Sequence, residues 1–365
     1  MIHFKIFEEL NKDLLVCLGN VKKNSLQEVF QMPEWIESII NSYRNLEKLK
    51  IVFIYDNDQI ILVAPLCINN IYGCKELRWI SSDIIDYNSP IISKSFNFED
   101  INFKNLWKKI IEELSCQCDL IFFNKIPQFV QYYNNPLINS EYSYYQKSYQ
   151  LNLNNFNYDS FYNQNNNNKS KQTDRRKEKK LYERKDLKYF HTDINEKNFY
   201  LLEELIFQKM TFYKSKKEKT FDNKNIINQY KKIINNISND FKFNISVLEK
   251  DGKKISSIFG VVFNRIYYYL IPITHNTEFK KLSPGRFHIV NLIKWAEKND
   301  IKTIDFTAGD EEYKSNWSNF SFNMFYYIKL KNLKGIPRFI FLILYFKLRK
   351  NLFLKKCYQL IKYAI

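Results

Sequence analysis

Four side chains that can exchange protons or bind anions lie close together near the carboxyl end of the sequence: Asp305, Asp310, Tyr313 and Lys314. A carboxylate can accept a proton, a phenol can donate one, and an ammonium group can hold an anion. Asp305 lies on a predicted strand, and the other three belong to the turn and helix that follow. Because ligands in open α/β sheets bind outside the carboxyl ends of strands, this spacing predicts a site at the end of that strand.

A candidate anion site precedes the strand. Ser283, Pro284 and Gly285 stand where a helix is predicted to begin, because a capping serine and an early proline are typical of helix starts. The amides at a helix start carry partial positive charge, and a glycine lets a phosphate approach the backbone. The sequence therefore predicts that the amides around Ser283, Gly285, Arg286 and Phe287 bind an anion, with added charge from the Arg286 side chain.

The elements that must position these residues are a helix, a short strand and a second helix. Apolar residues recur at the spacing of one buried helical face, at Ile289, Leu292, Ile293 and Ala296. Residues 302–306 then alternate in polarity, as a strand with one buried face does. A turn follows, and Tyr313, Lys314 and Trp317 are predicted on the second helix.

A longer motif spans these elements. Its parts are Ser283-Pro284-Gly285, Trp295-Ala296, Asp305-Phe306, Gly309-Asp310-Glu311, Tyr313-Lys314 and Trp317. The motif resembles the signature of the CelD/BcsL-type (BioF-like) acetyltransferases, a branch of the GNAT superfamily. Further matches are Phe30, Pro33 and Trp35, the segment Asp86-Tyr87-Asn88-Ser89-Pro90, and the basic run near Arg175 and Arg176. The resemblance covers roughly residues 20 to 330.

This resemblance implies an α/β chain with two GNAT-like folds in tandem, whose mixed sheets are flanked by helices. It implies acetyl-CoA or another acyl-CoA as donor, no metal, and a small-molecule or saccharide acceptor that offers an amine or a hydroxyl. It also implies a role in polysaccharide or cell-envelope synthesis. A family helix that often carries a His and an Arg-Trp pair has Gln208, Thr211 and Phe212 here, so the resemblance gives that helix no catalytic residue.

The resemblance also suggests roles for individual residues. The amides from Ser283 to Phe287 would hold the pyrophosphate of CoA, and Tyr313 would protonate the leaving thiolate. Asp305 or Asp310 would act as general base, although an aspartate in the position of Asp310 can equally cap the next helix. Lys314 would hold an anionic acceptor or lie on the helix surface.

An arm between the two halves is rich in basic residues. Residues 152–169 are rich in asparagine and are predicted to form a loop, whereas residues 169–188 are predicted to form a basic helix. Arg175 and Arg176 are the candidates for binding an anionic ligand or acceptor, because guanidinium groups bind phosphate and carboxylate bidentately. The alternative is a solvated helical arm.

The two halves share an order of elements. Hairpin strands are predicted at 50–55 with 59–67 and at 244–249 with 254–263, each after a helical segment at 25–46 or 223–237. We therefore predict four regions: an N-terminal GNAT-like domain at 1–160, the loop and arm at 161–190, the acyl-CoA domain at 191–330, and a basic tail at 331–365.

The net charge of +17 comes from 56 basic and 39 acidic residues. Such a charge favours nucleic acid or an anionic membrane as partner. Lys, Asn, Ile, Phe and Tyr are abundant while Gly and Pro number only 7 and 8, so a compositional bias accounts for part of the charge. We therefore do not expect nucleic acid as a partner.

The tail has no acidic residue after Glu312 and ten basic residues from Lys329 onward. An amphipathic helix with Phe341, Tyr345, Leu348 and Leu352 on its apolar face would suit an anionic membrane. The alternative is a helix that packs on the domain. Near the N-terminus, Glu8 and Glu9 interrupt the unbroken apolar core that a signal peptide needs, and no apolar run is long enough to span a membrane. The chain is therefore expected to be cytoplasmic and peripheral at the inner face of the cell membrane.

Two other functions fit the same sequence. One is a transferase with two GNAT-like folds that takes its acyl group from aminoacyl-tRNA, as the Fem peptidyltransferases do, and the basic charge would suit that donor. The other is a non-catalytic scaffold in an envelope-synthesis complex. A bound CoA ligand would favour the acyl-CoA-dependent acetyltransferase over the tRNA-dependent transferase. Release of CoA during turnover would exclude the scaffold.

Overall fold

Two compact units make up the chain. The computed structural model describes residues 1–21, 24–42, 46–81, 84–98, 103–165, 167–183, 186–215, 223–236, 240–275 and 277–349. The first unit contains residues 1–147 and those after 321, and the second contains residues 148–321. Each unit buries its own hydrophobic core. The domain limits expected from the sequence, at residues 160, 190 and 330, remain predictions, because the division into two units does not test them.

Ten helices and sixteen strands are formed by the described residues. The helices are α1 Lys12–Val21, α2 Pro33–Ile40, α3 Phe103–Leu114, α4 Tyr158–Asn165, α5 Asn168–Tyr182, α6 Tyr200–Ser215, α7 Asn223–Asn235, α8 Pro284–Lys298, α9 Glu312–Asn316 and α10 Ile336–Arg349. The strands are β1 Ile2–Phe7, β2 Ser25–Leu26, β3 Leu46–Asp56, β4 Gln59–Ile71, β5 Cys74–Trp79, β6 Ile91–Ser93, β7 Leu120–Pro127, β8 Phe129–Val130, β9 Tyr133–Asn134, β10 Ser143–Asn152, β11 Lys188–Asp193, β12 Phe241–Lys250, β13 Lys253–Phe263, β14 Ile266–Thr274, β15 Thr303–Ala308 and β16 Phe320–Leu330.

The same strand arrangement occurs once in each unit. In the first unit the order is β1-β3-β4-β5-β7-β16, and only β5 and β7 run parallel. In the second unit the order is β11-β12-β13-β14-β15-β10, and only β14 and β15 run parallel. Four antiparallel strands are thus followed by a parallel neighbour and a last antiparallel strand. This repeat, with helices on the sheets, confirms the predicted tandem GNAT-like α/β fold.

The parallel pair of the second unit is short. β14 and β15 pair only from Ile266–Thr303 to Tyr268–Asp305 within the described residues, yet β14 continues to Thr274. A bulge also shifts the register between β13 and β14 next to Gly260. Bulges bend a strand and end regular pairing. Backbone groups of β14 beyond Tyr268 therefore face a space that β15 does not fill.

The core of the second unit holds α8 against the sheet. The four residues that predicted its apolar face, Ile289, Leu292, Ile293 and Ala296, are all buried. They pack with Ile304 of β15 in one cluster. Truncating a buried leucine to alanine in such a core costs roughly 2–5 kcal/mol, so this packing fixes the position of the helix start.

The tail helix α10 packs on the first unit, which is the alternative that the sequence leaves open. Leu342 and Phe346 are buried in a cluster with Leu120 and Phe122, and the Phe346 ring stacks on Tyr326 at a centroid distance of 3.9 Å. The part of the predicted tail from residue 350 onward, including Leu352, lies outside the described residues. No helix in the described part of the chain is long and apolar enough to cross a membrane.

Two predicted elements are wrong. The helix expected at 25–46 is interrupted in the described part of that range: Ser25–Leu26 form β2, Val29–Gln31 form a 3-10 helix, and α2 begins at Pro33. The residue before a proline is driven towards extended backbone, and Met32 accordingly has ψ 144°. The asparagine-rich stretch expected to be a loop contains α4 instead. Asn157 accepts a hydrogen bond from the Ser160 amide at 2.8 Å as a cap, and Tyr158 and Phe161 pack on the core. By contrast, helices do form in the predicted ranges 169–188 and 223–237, as α5 and α7, although α5 ends at Tyr182 and Lys188 already belongs to β11.

Candidate active site

A cavity of about 690 Å³ opens in the second unit at the start of α8. It is lined by Asp174, Lys177, Lys209, Phe212, Ser256, Tyr269, Pro272, Ile273, Thr274, Lys280, Ser283, Gly285, Arg286, Ile289, Tyr313, Asn316 and Trp317. The lining combines the unpaired stretch of β14 with the first turn of α8 and with α9. The structure thus brings the predicted anion site and Tyr313 to one cavity.

Helix α8 begins where the sequence predicts, but Ser283 makes no side-chain capping bond and fewer backbone amides are available than expected. Ser283 adopts left-handed backbone with φ 56°, and Pro284 is the first helical residue. The Ser283 amide donates to the Lys280 carbonyl at 3.1 Å, and the Arg286 amide donates to the Ser283 carbonyl at 3.0 Å. Because the first amides of a helix have no intrahelical acceptor, the Gly285 amide is the one best placed for an anion.

Gly285 leaves room for that anion. A Cβ atom at this position would come within 3.1 Å of Thr274 Oγ1, which is tighter than ordinary packing. Phe287, which the sequence groups with this site, is instead buried in a separate apolar cluster with Leu181 and Ile255. The anion site therefore narrows to the backbone at Ser283 to Arg286.

Cationic side chains outnumber acidic ones around the cavity. Lys177, Lys209, Lys280 and Arg286 line it, against Asp174 alone. The Lys177 ammonium donates to Ser283 Oγ at 2.8 Å, so its charge lies beside the helix start. A concave site with this excess of positive charge attracts polyanions and holds phosphate groups.

Arg286 is engaged by neighbouring side chains. Its guanidinium forms an ion pair with Asp174 at 2.7 Å and stacks on the rings of Tyr162 and Trp317 at 5.4 and 5.2 Å. Tyr162 also donates to the same Asp174 oxygen at 2.9 Å. These contacts fix the guanidinium at the cavity wall, so the added charge that the sequence predicts is present but partly neutralised.

Tyr313 faces the cavity from α9. Its ring is half-buried and lies 6.4 Å from the ring of Tyr269 on β14. Burial raises the pKa of Tyr269 well above its usual value, so that phenol stays protonated. The Tyr313 phenol lines the same cavity as Tyr269 of β14 and can serve as a proton donor there.

Asp305 does not line the cavity. Only 1% of its surface is exposed, and its carboxylate accepts hydrogen bonds from Gln150 Nε2 at 2.9 Å and from the Thr307 amide at 2.7 Å. Thr307 has φ 59°, a conformation that costs energy for a residue with a side chain. These contacts give Asp305 a role in shaping the end of β15, and its predicted role as a base stays untested.

Asp310 and Lys314 lie in the turn that follows. Asp310 is exposed, and the residue at the cap position of α9 is Glu311, without a side-chain capping bond. Lys314 is buried, donates to the Ala308 carbonyl at 2.8 Å, and pairs with Glu311 at 3.2 Å. A Cβ atom on Gly309, whose φ is 144°, would collide with these two side chains. Lys314 therefore holds the turn, and neither residue lines the cavity.

The arginine pair of the arm is exposed on α5 and lies outside the cavity lining. Asp174 and Lys177, on the same helix, line the cavity instead. Their spacing of three residues places them on one helical face, a signal that the sequence contains. Which face of α5 turns inward depends on packing against the region of Ser283, and acceptor binding by Arg175 and Arg176 stays a prediction.

Lys209 and Phe212 of α6 also line the cavity. The Lys209 ammonium donates to the Pro272 carbonyl at 2.7 Å, on the open stretch of β14. The sequence assigns this helix no function, because the family residues expected there are missing. The i, i+3 spacing of Lys209 and Phe212 indicates from the sequence alone that both side chains lie on one face of the helix.

In the first unit, a segment of the chain is bound to β7, the second strand of the parallel pair. The Asn88 amide donates to the Lys125 carbonyl at 2.9 Å, and the Asn88 side chain donates to the Asn124 carbonyl at 2.9 Å. Tyr87 is buried, with its ring 5.7 Å from Phe30. The Asp86 to Pro90 motif therefore has a structural role on β7, the strand that corresponds to β15 of the second unit.

Comparison with known proteins agrees with this geometry. Residues 168–315 match the model of the acetyltransferase (GNAT) domain, so the second unit contains such a domain. No curated protein sequence matches the chain significantly.

Solved structures show the fold over nearly the whole chain. The structure of FemX is 12% identical, with a TM-score of 0.53 over 90% of this chain and 97% of that one. The structure of L-PGS from Bacillus licheniformis is 10% identical, with a TM-score of 0.53 over 94% and 98%. The C-terminal domain of a putative lysylphosphatidylglycerol synthetase from Agrobacterium fabrum is 9% identical, with a TM-score of 0.50 over 92% and 95%. At these identities the likeness concerns the fold alone.

Proposed function

We propose that the chain transfers an acyl group, acetyl in the simplest case, from acyl-CoA to an amine or hydroxyl acceptor in the cavity of the second unit. The observation that carries this proposal is the meeting of three features at one cavity: the open amide at Gly285, the cationic lining, and the phenol of Tyr313. They match the two ends of an acyl-CoA. A pyrophosphate needs amides and positive charge, and a departing thiolate needs a proton.

The donor lies with its pyrophosphate at the first turn of α8 and its pantetheine arm along the open stretch of β14. Backbone groups beyond Tyr268 are the hydrogen-bonding partners for that arm, because β15 does not pair with them. This placement brings the thioester towards Tyr269 and Tyr313. The first unit holds the Asp86 to Pro90 segment on β7, the counterpart of β15, and we place CoA in the second unit alone because the cationic cavity lies there.

A single phenol is sufficient to account for every proton transferred in the reaction. The acceptor nitrogen or oxygen attacks the thioester carbonyl carbon and forms a tetrahedral adduct. Collapse of the adduct breaks the C–S bond, and Tyr313 gives its proton to the thiolate. The phenolate regains a proton from the acceptor atom, which carries one proton too many after the attack, so the products are the acylated acceptor and CoA thiol. Asp310 remains a candidate for assisting that last transfer.

Calorimetry with acetyl-CoA and a thiol-release assay test the proposal together. We expect micromolar binding of one CoA per chain and release of free CoA thiol when amine or hydroxyl acceptors, saccharides among them, are added. A saccharide acceptor and a role in envelope synthesis rest on the motif resemblance. Absence of CoA binding by the full chain would remove the proposal.

An aminoacyl-tRNA donor is the second candidate, and one observation favours it. Arg175, Arg176, Lys179 and Lys180 are all exposed on α5, outside the cavity lining, and are available to a nucleic-acid backbone. Binding of tRNA through phosphates falls steeply with salt. Salt-dependent tRNA binding, together with transfer from charged tRNA and no affinity for CoA, would favour this function over the first.

We also propose that the protein works at an anionic membrane surface, through the outer side of α10. Ile340 and Leu344 are 51% and 49% exposed, and Leu333 just before the helix is 82% exposed. Lys334 and Lys347 flank this stripe and are exposed. The apolar face expected from the sequence is different: Phe341 and Tyr345 pack on the first unit.

Among the described basic residues from Lys329 to Lys347, three are engaged within the first unit. Lys329 and Lys331 pair with Glu112, and Arg338 pairs at 2.6 Å with the buried Glu76. The first two ion pairs lower the pKa of Glu112 to about 2. The membrane attraction therefore rests on the remaining basic residues and on the stripe of Ile340 and Leu344.

A further inference from the structure

A second cavity, of about 430 Å³, adjoins the first in the second unit. It is lined by Phe161, Tyr162, Asn165, Lys169, Ser170 and Thr173, together with Asp174, Arg286, Asn316 and Trp317. The last four residues line both cavities. The two spaces are therefore separated only by a shared wall, whose centre is the ion pair of Arg286 and Asp174.

The chemistry of the second cavity differs from that of the first. Lys169, Ser170 and Thr173 lie on one face of α5 and present an ammonium group and two hydroxyls, of which the Thr173 hydroxyl already donates to the Lys169 carbonyl at 2.9 Å. Asn165 adds a side-chain amide and Phe161 adds aromatic surface, while the Tyr162 ring contacts Arg286 and stacks on Tyr158. An ammonium with neighbouring hydroxyl and amide donors suits a phosphate monoester, and aromatic side chains suit a nucleobase.

The direction of the donor follows from the first cavity. With the pyrophosphate at Gly285 and the thioester near Tyr313, the nucleotide end of CoA must leave on the far side of the α8 start. Arg286 stands on that first turn and borders the second cavity. A ligand that carries a pyrophosphate, an adenosine and a further phosphate can thus occupy both cavities across the Arg286 wall.

We infer that the second cavity is the subsite for the 3′-phosphorylated adenosine of CoA, with Lys169 and Ser170 on the 3′-phosphate. This inference rests on the proposed CoA donor and adds which part of CoA the segment of α4 and α5 recognises. A donor that lacks the 3′-phosphate should then bind more weakly, although its thioester and pyrophosphate are unchanged. The chain would discriminate between CoA and dephospho-CoA through residues outside the first cavity.

Calorimetry on the full chain with CoA and dephospho-CoA tests the inference. We expect CoA to bind about tenfold or more tightly than dephospho-CoA, the range expected for one charge-assisted contact. In Lys169→Gln the affinity for CoA should fall about tenfold and the affinity for dephospho-CoA should stay unchanged, so the preference is lost. Lys179→Gln, at an exposed lysine of α5 that lines neither cavity, is the matched control and should retain the preference.

Equal affinity of the unmodified protein for CoA and dephospho-CoA would overturn the subsite while leaving the CoA donor in place. An unchanged preference in Lys169→Gln would do the same. If Lys169→Gln instead raises the KM for the acceptor at constant CoA affinity, the second cavity is an acceptor site and the inference is wrong. If neither nucleotide binds, the proposed donor itself fails.

Discussion

Asp305 Oδ1 accepts a hydrogen bond from the backbone amide of Thr307 at 2.7 Å, and this contact stabilises a residue with φ 59° at the end of β15. The turn that carries Tyr313 into the cavity begins there. We predict that Asp305 acts on the site through backbone geometry, as a positioning residue. Its role differs from that of a base that touches the acceptor, and the two roles predict different behaviour on substitution.

Asp305→Asn keeps one oxygen for the Thr307 amide and removes the carboxylate charge. For a positioning residue we expect turnover to fall by no more than about tenfold, with the pH dependence of kcat unchanged. Loss of a general base would lower turnover roughly 10²–10⁴-fold and remove the acidic limb of the profile. Asp305→Ala, which leaves a buried amide without its partner, should lower the free energy of unfolding by about 1–3 kcal/mol.

Gly285→Asp places a side chain and a negative charge against the pyrophosphate. We expect the affinity for CoA to fall by at least an order of magnitude in calorimetry, with the fold retained by circular dichroism. Gly285→Ala is the matched control for size, since its Cβ meets only Thr274 Oγ1 at 3.1 Å, and its effect should be smaller. Unchanged affinity in the aspartate variant would place the pyrophosphate elsewhere.

Tyr313→Phe removes one proton donor with almost no change in volume. If this phenol protonates the thiolate, turnover should drop roughly 10²-fold or more while CoA affinity hardly changes. Tyr133→Phe, at an exposed tyrosine of the first unit, controls for loss of a phenol and should keep full activity. Equal turnover in the Tyr313 variant would leave thiolate protonation to water.

His288 should make the protein sensitive to acid. The ring is fully buried, its Nε2 lies 2.9 Å from Ser246 Oγ, and burial lowers its pKa to about 3, with smaller effects from His191 and His275. In the unfolded chain the pKa returns to about 6.5. The unfolded state therefore binds the proton first, so this stability is complete above about pH 6.5 and is lost as the pH falls towards 3.

The size of this effect is roughly 3–5 kcal/mol of unfolding free energy across that pH range. Urea unfolding at pH 7.5, 6.0 and 5.0 should show about 2 kcal/mol of this loss, because each pH unit below 6.5 contributes about 1.4 kcal/mol. His288→Gln should be less stable at pH 7.5 but should show a flatter dependence on pH, because the titrating group is gone. His191, whose pKa burial lowers to about 4, accounts for part of the remaining slope. The same slope in both proteins would contradict this assignment.

The stripe on α10 predicts salt-sensitive binding to anionic vesicles and none to neutral ones. Ile340→Gln and Leu344→Gln should each weaken that binding about threefold to tenfold, since each side chain is about half exposed in the free protein. Val16→Gln, an equally exposed apolar position on α1, is the control. Binding that is insensitive to both stripe variants would remove the membrane proposal.

Truncation of the tail is not a clean test of that surface. Removing α10 would expose the cluster around Leu342 and Phe346 and would leave the buried Glu76 without Arg338. An unpaired buried carboxylate and a lost apolar contact both destabilise the fold. A truncated chain should therefore unfold at lower urea concentration, which separates its behaviour from that of the point variants.

Much of the second unit follows from local sequence. The start of α8 at Pro284, the hairpin of β12 and β13, and the short β15 each depend on residues within one or two turns of chain. Proline geometry, apolar spacing and turn residues act at that range, so these elements are readable without knowledge of the fold. The tandem arrangement was implied by the motif resemblance, and the shared order of elements in the two halves was consistent with it.

Tertiary structure decided which side chains share a cavity. Arg286 meets Asp174 and Lys177 meets Ser283 although more than a hundred residues separate the partners in each pair. The sequence shows that α5 is basic, but the face that turns inward depends on how that helix packs. In the same way, only the fold shows that Lys314 holds a turn and that Asp305 is buried. Contacts between distant segments depend on the whole packed arrangement, and no local pattern of residue types encodes them.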